Sequence, residues 1–530
     1  MTMPPRGTFP ETSAADPRLP LPDITVPGLL RQQAESRGGA LALSAVSGGQ
    51  KRQRLSYAAL VSRMDAAAAR LRNEGLGPDD RLGIYLTNDW ALECFVAALG
   101  TLALGATVVP LNTRSSAGEI GHAVSLAEPR FILCDAEGRE RLGAALGPAL
   151  PPLLEAEAVS DPGQAPPRSQ PLSFSPGRLG CLLFTSGTTA RSKAVMHSHA
   201  TMIATGHCTG SALGLRAGDI YQGAFPFFTS SALNLAGMSC WVAGAGLVIE
   251  GQIGNEERLD LIRSEATTFY HGVPSILNFM TQAFDPARHD LTGLRRVANG
   301  GAAMPLELLA AIQRLWPWVD QVQIYGMTES GPAGTVLPPD MKAAKAGSVG
   351  RAMPHMRVEI VDEHGQALPA GEEGEIALSG PPVALGYFRN PGATAKAFSG
   401  RRILTGDVGQ LDGDGYLFFG DRKKDIINRG GLKISSVAVE SALYRHGAVR
   451  EAAVFAIAHP QLGEDVAACV VAKPGAGLTA ADLADHCRGF LADYEVPRHI
   501  AFVDELPKNP MGKVLKNRLR DDPPPMDRAV

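Results

Sequence analysis

Phe184-Thr185-Ser186-Gly187-Thr188-Thr189-Ala190-Arg191-Ser192-Lys193 is a glycine- and hydroxyl-rich loop ending in a lysine, entered from the apolar run Leu179–Phe184. The run has the length and composition of a buried strand, and a segment starting near His197 has helical character. A loop turning sharply off a strand end can aim backbone N–H groups and hydroxyls at an anion, with a lysine adding a point charge. It is therefore a candidate phosphate cradle. Ser/Thr/Gly runs are also ordinary solvated loops, and the stretch alone leaves both readings open.

Working outward, the pattern is strand, helix, strand. Leu55-Ser56-Tyr57 opens a helix running to Asn73, with Leu60, Met64, Ala67, Ala68 and Leu71 in helical spacing. A strand at Arg81–Leu86, a helix over Trp90–Leu104 and strands at Ala106–Leu111 and Phe131–Cys134 follow, which predicts parallel β-α-β units. Residues 160–177, rich in Pro, Ser, Gly and Gln, form a surface connection. Beyond the loop, the alternation continues through Leu247–Ile249, Glu256–Ser264, Thr268–Tyr270 and Ser275–Ala283.

The chain has 530 residues, 45% hydrophobic and 20% charged, too long for one ordinary domain. A formal net charge of −4 gives no basic excess of the kind nucleic-acid binders carry. The seven cysteines, Cys94, Cys134, Cys181, Cys208, Cys240, Cys469 and Cys487, are scattered without a C-x-x-C pair, which suggests neither disulfides nor a zinc cage and fits a reducing cytoplasm. The first twenty residues are proline-rich and polar, unlike an export signal. The longest apolar stretch, Leu235–Ile249, is interrupted and shorter than the ~20 residues of a membrane span, so it is expected to be buried core.

Later segments supply company for the loop. Asn299-Gly300-Gly301-Ala302-Ala303 is a strand end with exposed backbone, where a flat ring can lie, or an ordinary tight turn. Tyr325-Gly326-Met327-Thr328-Glu329 follows a strand over Gln321–Ile324 and offers a hydroxyl to a phosphate and a carboxylate to Mg²⁺. Leu404-Thr405-Gly406-Asp407 places a carboxylate on a tight turn, suited to vicinal ribose hydroxyls. Gly420-Asp421-Arg422-Lys423-Lys424-Asp425, equally a solvated linker, precedes the flexible Asn428-Arg429-Gly430-Gly431 loop, and Asn509-Pro510-Met511-Gly512 presents Lys513.

In this order and spacing the motifs resemble the adenylate-forming superfamily: acyl-CoA synthetases, firefly-type luciferases and the adenylation domains of peptide synthetases. The resemblance spans roughly residues 25 to 520 and is nearest the acyl-CoA ligases. It implies an α/β architecture, a large multi-layer N-terminal α/β domain with a small mobile α/β C-terminal domain. The expected division is a loose arm over 1–24, the N-terminal domain over 25–420, a hinge at 421–424 pivoting on Lys424, a lid domain over 425–520 with strands at Glu451–Ile457 and Val466–Ala472 and a helix over Ala480–Leu491, and a disordered tail over 521–530.

The implied substrates and cofactors are ATP, Mg²⁺, coenzyme A and a small carboxylic acid, in a cytoplasmic monomer or homodimer without a membrane span or nucleic-acid partner. Residue by residue, the resemblance gives the triphosphate to Thr185, Ser186, Gly187, Thr188, Thr189 and Lys193, and the α-phosphate to Thr328. It gives Mg²⁺ to Glu329, adenine to Gly300, Gly301, Ala302 and Tyr325 beside Gly326 and Met327, and the ribose to Asp407 and Arg422. Lys513 bridges substrate carboxylate and α-phosphate, and with Thr185 and Glu329 forms the catalytic set, while Gly430 and Gly431 line a coenzyme A tunnel.

Two departures matter. The loop has Ala190, Ser192 and Ala194 where the family form has Gly, Pro and Gly; a Cβ at a position needing positive φ costs on the order of 1 kcal/mol. The segment Phe225–Ser230 lacks the aspartate with which amino-acid-adenylating relatives hold an α-amine, so a non-amino acid is expected. Phe228, Thr229, His271 and Val273 are the candidate acyl pocket, Thr229 standing where many acyl-CoA ligases have a gating ring; His271 is equally a buried structural histidine. Loading of a carrier-protein thiol, and a degraded relative that only binds ligand, remain alternatives to an acid–CoA ligase.

Overall fold

Local signals start the elements. The Ser56 hydroxyl accepts from Ala59 N (3.2 Å) and caps the helix Tyr57–Asn73, whose buried face carries Leu60, Met64, Ala67, Ala68 and Leu71. Thr25 caps Val26–Arg37, and Ser116 with Glu119 closes a capping box on Ala117–Ala127. The computed structural model describes residues 23–47, 52–160, 172–185, 192–301, 304, 306–508 and 514–529. The chain divides into two units, Met1–Val358 with Ala377–Leu404, and Glu359–Ile376 with Thr405–Val530.

The first unit is built on two sheets. In one, the order is Gln53–Ser56, Leu41–Val46, Gly246–Glu250, Ile220–Gly223, Phe269–His271, Arg296–Asn299, Asp320–Tyr325, Thr335–Leu337, Ser348–Ala352. The run from Leu41–Val46 to Asp320–Tyr325 is parallel. In the other, the order is Leu153–Glu155, Phe131–Cys134, Arg81–Tyr85, Thr107–Pro110, Leu179–Thr185, Lys193–Ser198. The helix Ala91–Ala103 packs on strands of both sheets, so its residues from Ala91 to Leu102 are all buried and its sequence is apolar on every side. The stretch Leu235–Ile249 is core as expected, shared by a π-helical turn Ser231–Gly237, a helix Met238–Ala243 and the strand Gly246–Glu250. Among the described residues no helix is long and apolar enough to cross a membrane, and all seven cysteines are free and buried.

Between the opening loop and the helix expected near His197 lies one further strand. Lys193–Ser198 returns antiparallel to Leu179–Thr185, and the helix His199–Leu213 starts only after Ser198, whose hydroxyl accepts from Thr201 N. Tertiary pairing decides this: Met196 N donates to Gly386 O (2.9 Å) and Phe388 N to Ala194 O (2.8 Å), so the return strand is bonded on both edges.

The strands Arg357–Val361, Glu373–Ser379, Arg402–Leu411 and Leu417–Arg422, of which only the last falls wholly in the second unit, are neighbours in sequence order. A further sheet has Val449–His459 and Gly463–Ala472 as its long antiparallel pair. Strand alternation splits its residues between two cores. Val454, Val466, Ala468 and Val470 join Ile427, Val439, Leu443 and Leu483, while Phe455, Ala467, Cys469 and Val471 join Leu506 and Leu519. Two expectations are corrected here. Asp407 sits inside the strand Arg402–Leu411, because Gly406 (φ +74°) absorbs the bend within the strand. The tail is not wholly disordered: Asp527–Arg528 pairs with His499–Ile500, and Ala529 N donates to Arg498 O (3.0 Å), satisfying an otherwise open strand edge.

Candidate active site

Parallel strands end together at their carboxyl edge, and in the first unit four adjacent ones each run into a segment singled out by the sequence. Ile220–Gly223 leads to Phe228 and Thr229, Phe269–His271 to Val273, Arg296–Asn299 to Gly300 and Gly301, and Asp320–Tyr325 to Gly326, Met327, Thr328 and Glu329. Such an edge is where open α/β sheets bind ligands. The corner after Tyr325 requires glycine, because a Cβ on Gly326 would lie 2.5 Å from Pro332 O. At Gly301, nothing among the described residues lies within 4 Å of where a Cβ would be, so its backbone face is open.

Around Glu329 the polar groups converge. Its side chain is buried, and Tyr387 Oη donates to its Oε1 at 3.0 Å. Lys193 Nζ stands 4.5 Å from the Tyr387 ring centroid, and Lys193 pairs with Thr185 across the hairpin. Thr328 Oγ1 is 3.1 Å from Ser230 Oγ, and the Thr328 carbonyl accepts from His197 Nε2 at 2.8 Å. Burial pushes the His197 pKa down to about 4, so the imidazole is neutral with its proton on Nε2. Among the described residues no three His, Cys, Asp or Glu side chains gather into a cage for a metal. Mg²⁺ needs only one or two protein carboxylates alongside phosphate oxygens, and the buried Glu329 carboxylate is a donor of that kind.

At the candidate acyl pocket, Asn88 fixes the Phe225–Thr229 turn: its Nδ2 donates to Phe225 O (2.8 Å) and its Oδ1 accepts from Phe227 N (3.0 Å). Thr229 Oγ1 donates to Pro226 O at 2.8 Å. His271 is turned into the core: its Nδ1 is hydrogen-bonded with Tyr221 Oη at 2.5 Å, and burial lowers its pKa to about 3. The structural reading of this histidine therefore has the geometry behind it.

The second unit carries the other candidates. Asp407 and Arg422 are cross-strand partners, Oδ1 to Nε 3.4 Å, with the carboxylate buried and the guanidinium partly exposed. Next to them, Asp421 Oδ2 accepts from Ser436 N (2.5 Å) and Oγ (2.7 Å), closing off the start of the helix Ser436–Tyr444. Burial lowers the Lys424 pKa. Gly430 N donates to Leu462 O (2.9 Å) and Gly431 N to Asn428 Oδ1 (3.1 Å). Ser186, Gly187, Thr188, Thr189, Ala302 and Lys513 lie outside the described residues.

Sequence reasoning missed Tyr387, His197, Ser230 and Asn88. None of the four carries a local signal, since their partners lie 98 to 139 residues away, or 58 for Tyr387.

The model of the AMP-binding enzyme family matches residues 30–388, and that of the AMP-binding enzyme C-terminal domain matches 438–513. A 3-[(3aS,4S,7aS)-7a-methyl-1,5-dioxo-octahydro-1H-inden-4-yl]propanoyl:CoA ligase of Rhodococcus jostii is 31% identical over 94% of this chain and 98% of its own length. A feruloyl-CoA synthase of an Amycolatopsis species is 33% identical over 88% and 93%. Among solved structures, the o-succinylbenzoate coenzyme A synthetase of Bacillus subtilis in complex with ATP and magnesium ion superposes with a TM-score of 0.82 at 26% identity, covering 93% of this chain and 98% of that one.

Proposed function

This chain belongs to the AMP-binding enzyme family, and from that premise we propose that it is an ATP-dependent carboxylic acid–CoA ligase acting on a non-amino acid. The observation that carries the proposal is the meeting of Lys193, Thr328 and Glu329 at the carboxyl edge of the parallel sheet. The relatives support the reaction class, since they are named for joining organic acids to coenzyme A.

The difficulty of the first step is charge. A carboxylate oxygen attacks the α-phosphorus of ATP in line, and the bond to the pyrophosphate oxygen breaks, so two anions must be brought together. Positioning and neutralisation by fixed cations and hydroxyls are what lower that barrier. We assign Lys193 and the hydroxyl loop from Thr185 to the β- and γ-phosphates, and Thr328 to the α-phosphate. Glu329 is the residue for Mg²⁺, which would supply neutralisation of phosphate charge when bound. Asp407 and Arg422 take the ribose hydroxyls, and Lys513 bridges the two reacting groups. In the second step the coenzyme A thiolate sulfur attacks the acyl carbon, AMP leaves on the carboxyl oxygen, and a thioester remains.

For the acid, the turn Phe225–Thr229 supplies aromatic and hydroxyl surface and no carboxylate, which favours an uncharged acyl group over an α-amino acid. The test is pyrophosphate release with ATP across a panel of aromatic, short aliphatic and long aliphatic acids, with and without coenzyme A. Release with at least one acid, and acyl-CoA formed with free coenzyme A, is expected. Release without acyl-CoA would move the chain to the carrier-loading class, and no release with any acid would overturn the proposal.

A further inference from the structure

We infer that Tyr387 is a positioning residue for the nucleotide's charge partners: it holds the Glu329 carboxylate through its hydroxyl and supports the Lys193 ammonium on its ring. This rests on the role proposed for the Lys193–Glu329 region. Tyr387 is buried, its Oη lies 3.0 Å from Glu329 Oε1, and Lys193 Nζ lies 4.5 Å from its ring centroid. A phenol O–H to a carboxylate is a charge-assisted bond, and it commits one oxygen of Glu329 while orienting the other. The ring face attracts an ammonium, more so in a desolvated setting.

The backbone around Tyr387 is held by both elements it serves. Ala384 N donates to Glu329 O and Leu385 N to Met196 O, each at 2.9 Å, and Phe388 N donates to Ala194 O at 2.8 Å. Tyr387 N donates to Thr394 Oγ1 (2.9 Å), and its ring meets Phe398 edge-on at 5.3 Å. The tyrosine therefore cannot shift without the return strand of the hairpin and the Thr328–Glu329 corner shifting with it. One side chain thus fixes the spacing of a cation and an anion that lie far apart in sequence.

The test is calorimetric binding of ATP at a series of Mg²⁺ concentrations to the full chain and to Tyr387→Phe, Tyr387→Leu and Glu329→Gln. Tyr387→Phe keeps the ring and should lose on the order of tenfold of the Mg²⁺-linked gain in ATP affinity while keeping Mg²⁺-free affinity within about twofold. Tyr387→Leu should lose both. In the Glu329→Gln background, Tyr387→Phe should have no further effect on Mg²⁺ linkage, which separates action through Glu329 from a general loss of structure. Wild-type Mg²⁺ linkage in Tyr387→Phe, or an unaltered effect of that change in Glu329→Gln, would overturn the inference. Because the readout is binding, failure of the ligase proposal would show separately, as absent pyrophosphate release by the wild-type chain.

Discussion

Asn234 is fully buried on the π-helical turn Ser231–Gly237, and among the described residues neither its Nδ2 nor its Oδ1 has a hydrogen-bond partner. A buried amide left unpaired forfeits its hydration without return, whereas an apolar side chain of the same shape does not. Asn234→Leu should therefore stabilise the protein by ~1 kcal/mol, read as a higher urea midpoint at unchanged slope. The role proposed for Lys513 rests on the family resemblance and on the charge problem of the first step. If it bridges the attacking carboxylate and the α-phosphate, Lys513→Ala should slow pyrophosphate release by about a hundredfold or more and leave thioester formation from supplied acyl-adenylate nearly intact. Equal loss in both half-reactions would remove the assignment. An unpaired amide such as Asn234 carries no signal in the sequence and becomes visible only when its surroundings are known.

Among the elements, the hairpin Leu179–Thr185 and Lys193–Ser198 frames the loop that departs from the family form at Ala190, Ser192 and Ala194. Of its three atypical residues, the structure describes the setting of two. Ala194 is buried in a cluster with Tyr85, Leu182 and Ile132, so its methyl group is used in packing where the family form has glycine. The Ser192 carbonyl is bonded to His122 Nε2 at 2.9 Å, a restraint on the turn that does not depend on proline. Restoring glycine and proline together, Ala190→Gly with Ser192→Pro, should raise the adenylation rate about fivefold if the loop is strained by ~1 kcal/mol. Unchanged or lower turnover would show that the His122 contact and the Ala194 packing already compensate. The strand over Lys193–Ser198 was missed in the sequence because Lys-Ala-Val-Met-His-Ser has no clear period of two. Its partners, Leu179–Thr185 on one edge and the 384–388 segment on the other, supply the ladder bonds that make it a strand.

Across the whole molecule, three histidines in the first unit are buried as neutral groups. Burial lowers the pKa of His197 and of His199 to about 4, and that of His271 to about 3. An unfolded histidine titrates near 6.5, so between that value and about 4 the unfolded chain takes up protons that the folded chain refuses. Their stabilising effect is thus fully present above pH 6.5 and is lost as pH falls, by about 1.4 kcal/mol per pH unit for each histidine. Urea midpoints taken from pH 7 to pH 4.5 should fall steeply, and His271→Gln should make that fall shallower by one histidine's share; an unchanged slope in the variant would refute its neutral burial. The amino-acid sequence by itself determined the alternation of strand and helix, the helix start at Ser56, the apolar helix expected over Trp90–Leu104 and the order of the nucleotide motifs. Each of these is a matter of residues within a few positions of one another, where periodicity, capping and turn chemistry operate. Only the tertiary structure decided that Tyr387 meets Glu329 and Lys193, that His197 holds Thr328, that His271 turns inward to Tyr221, and that Asp527–Arg528 closes a sheet edge. Those contacts join residues 27 to 194 positions apart, so they form only where the packed strands bring the partners within reach; at the buried pairs a polar group denied water is compelled to find such a partner.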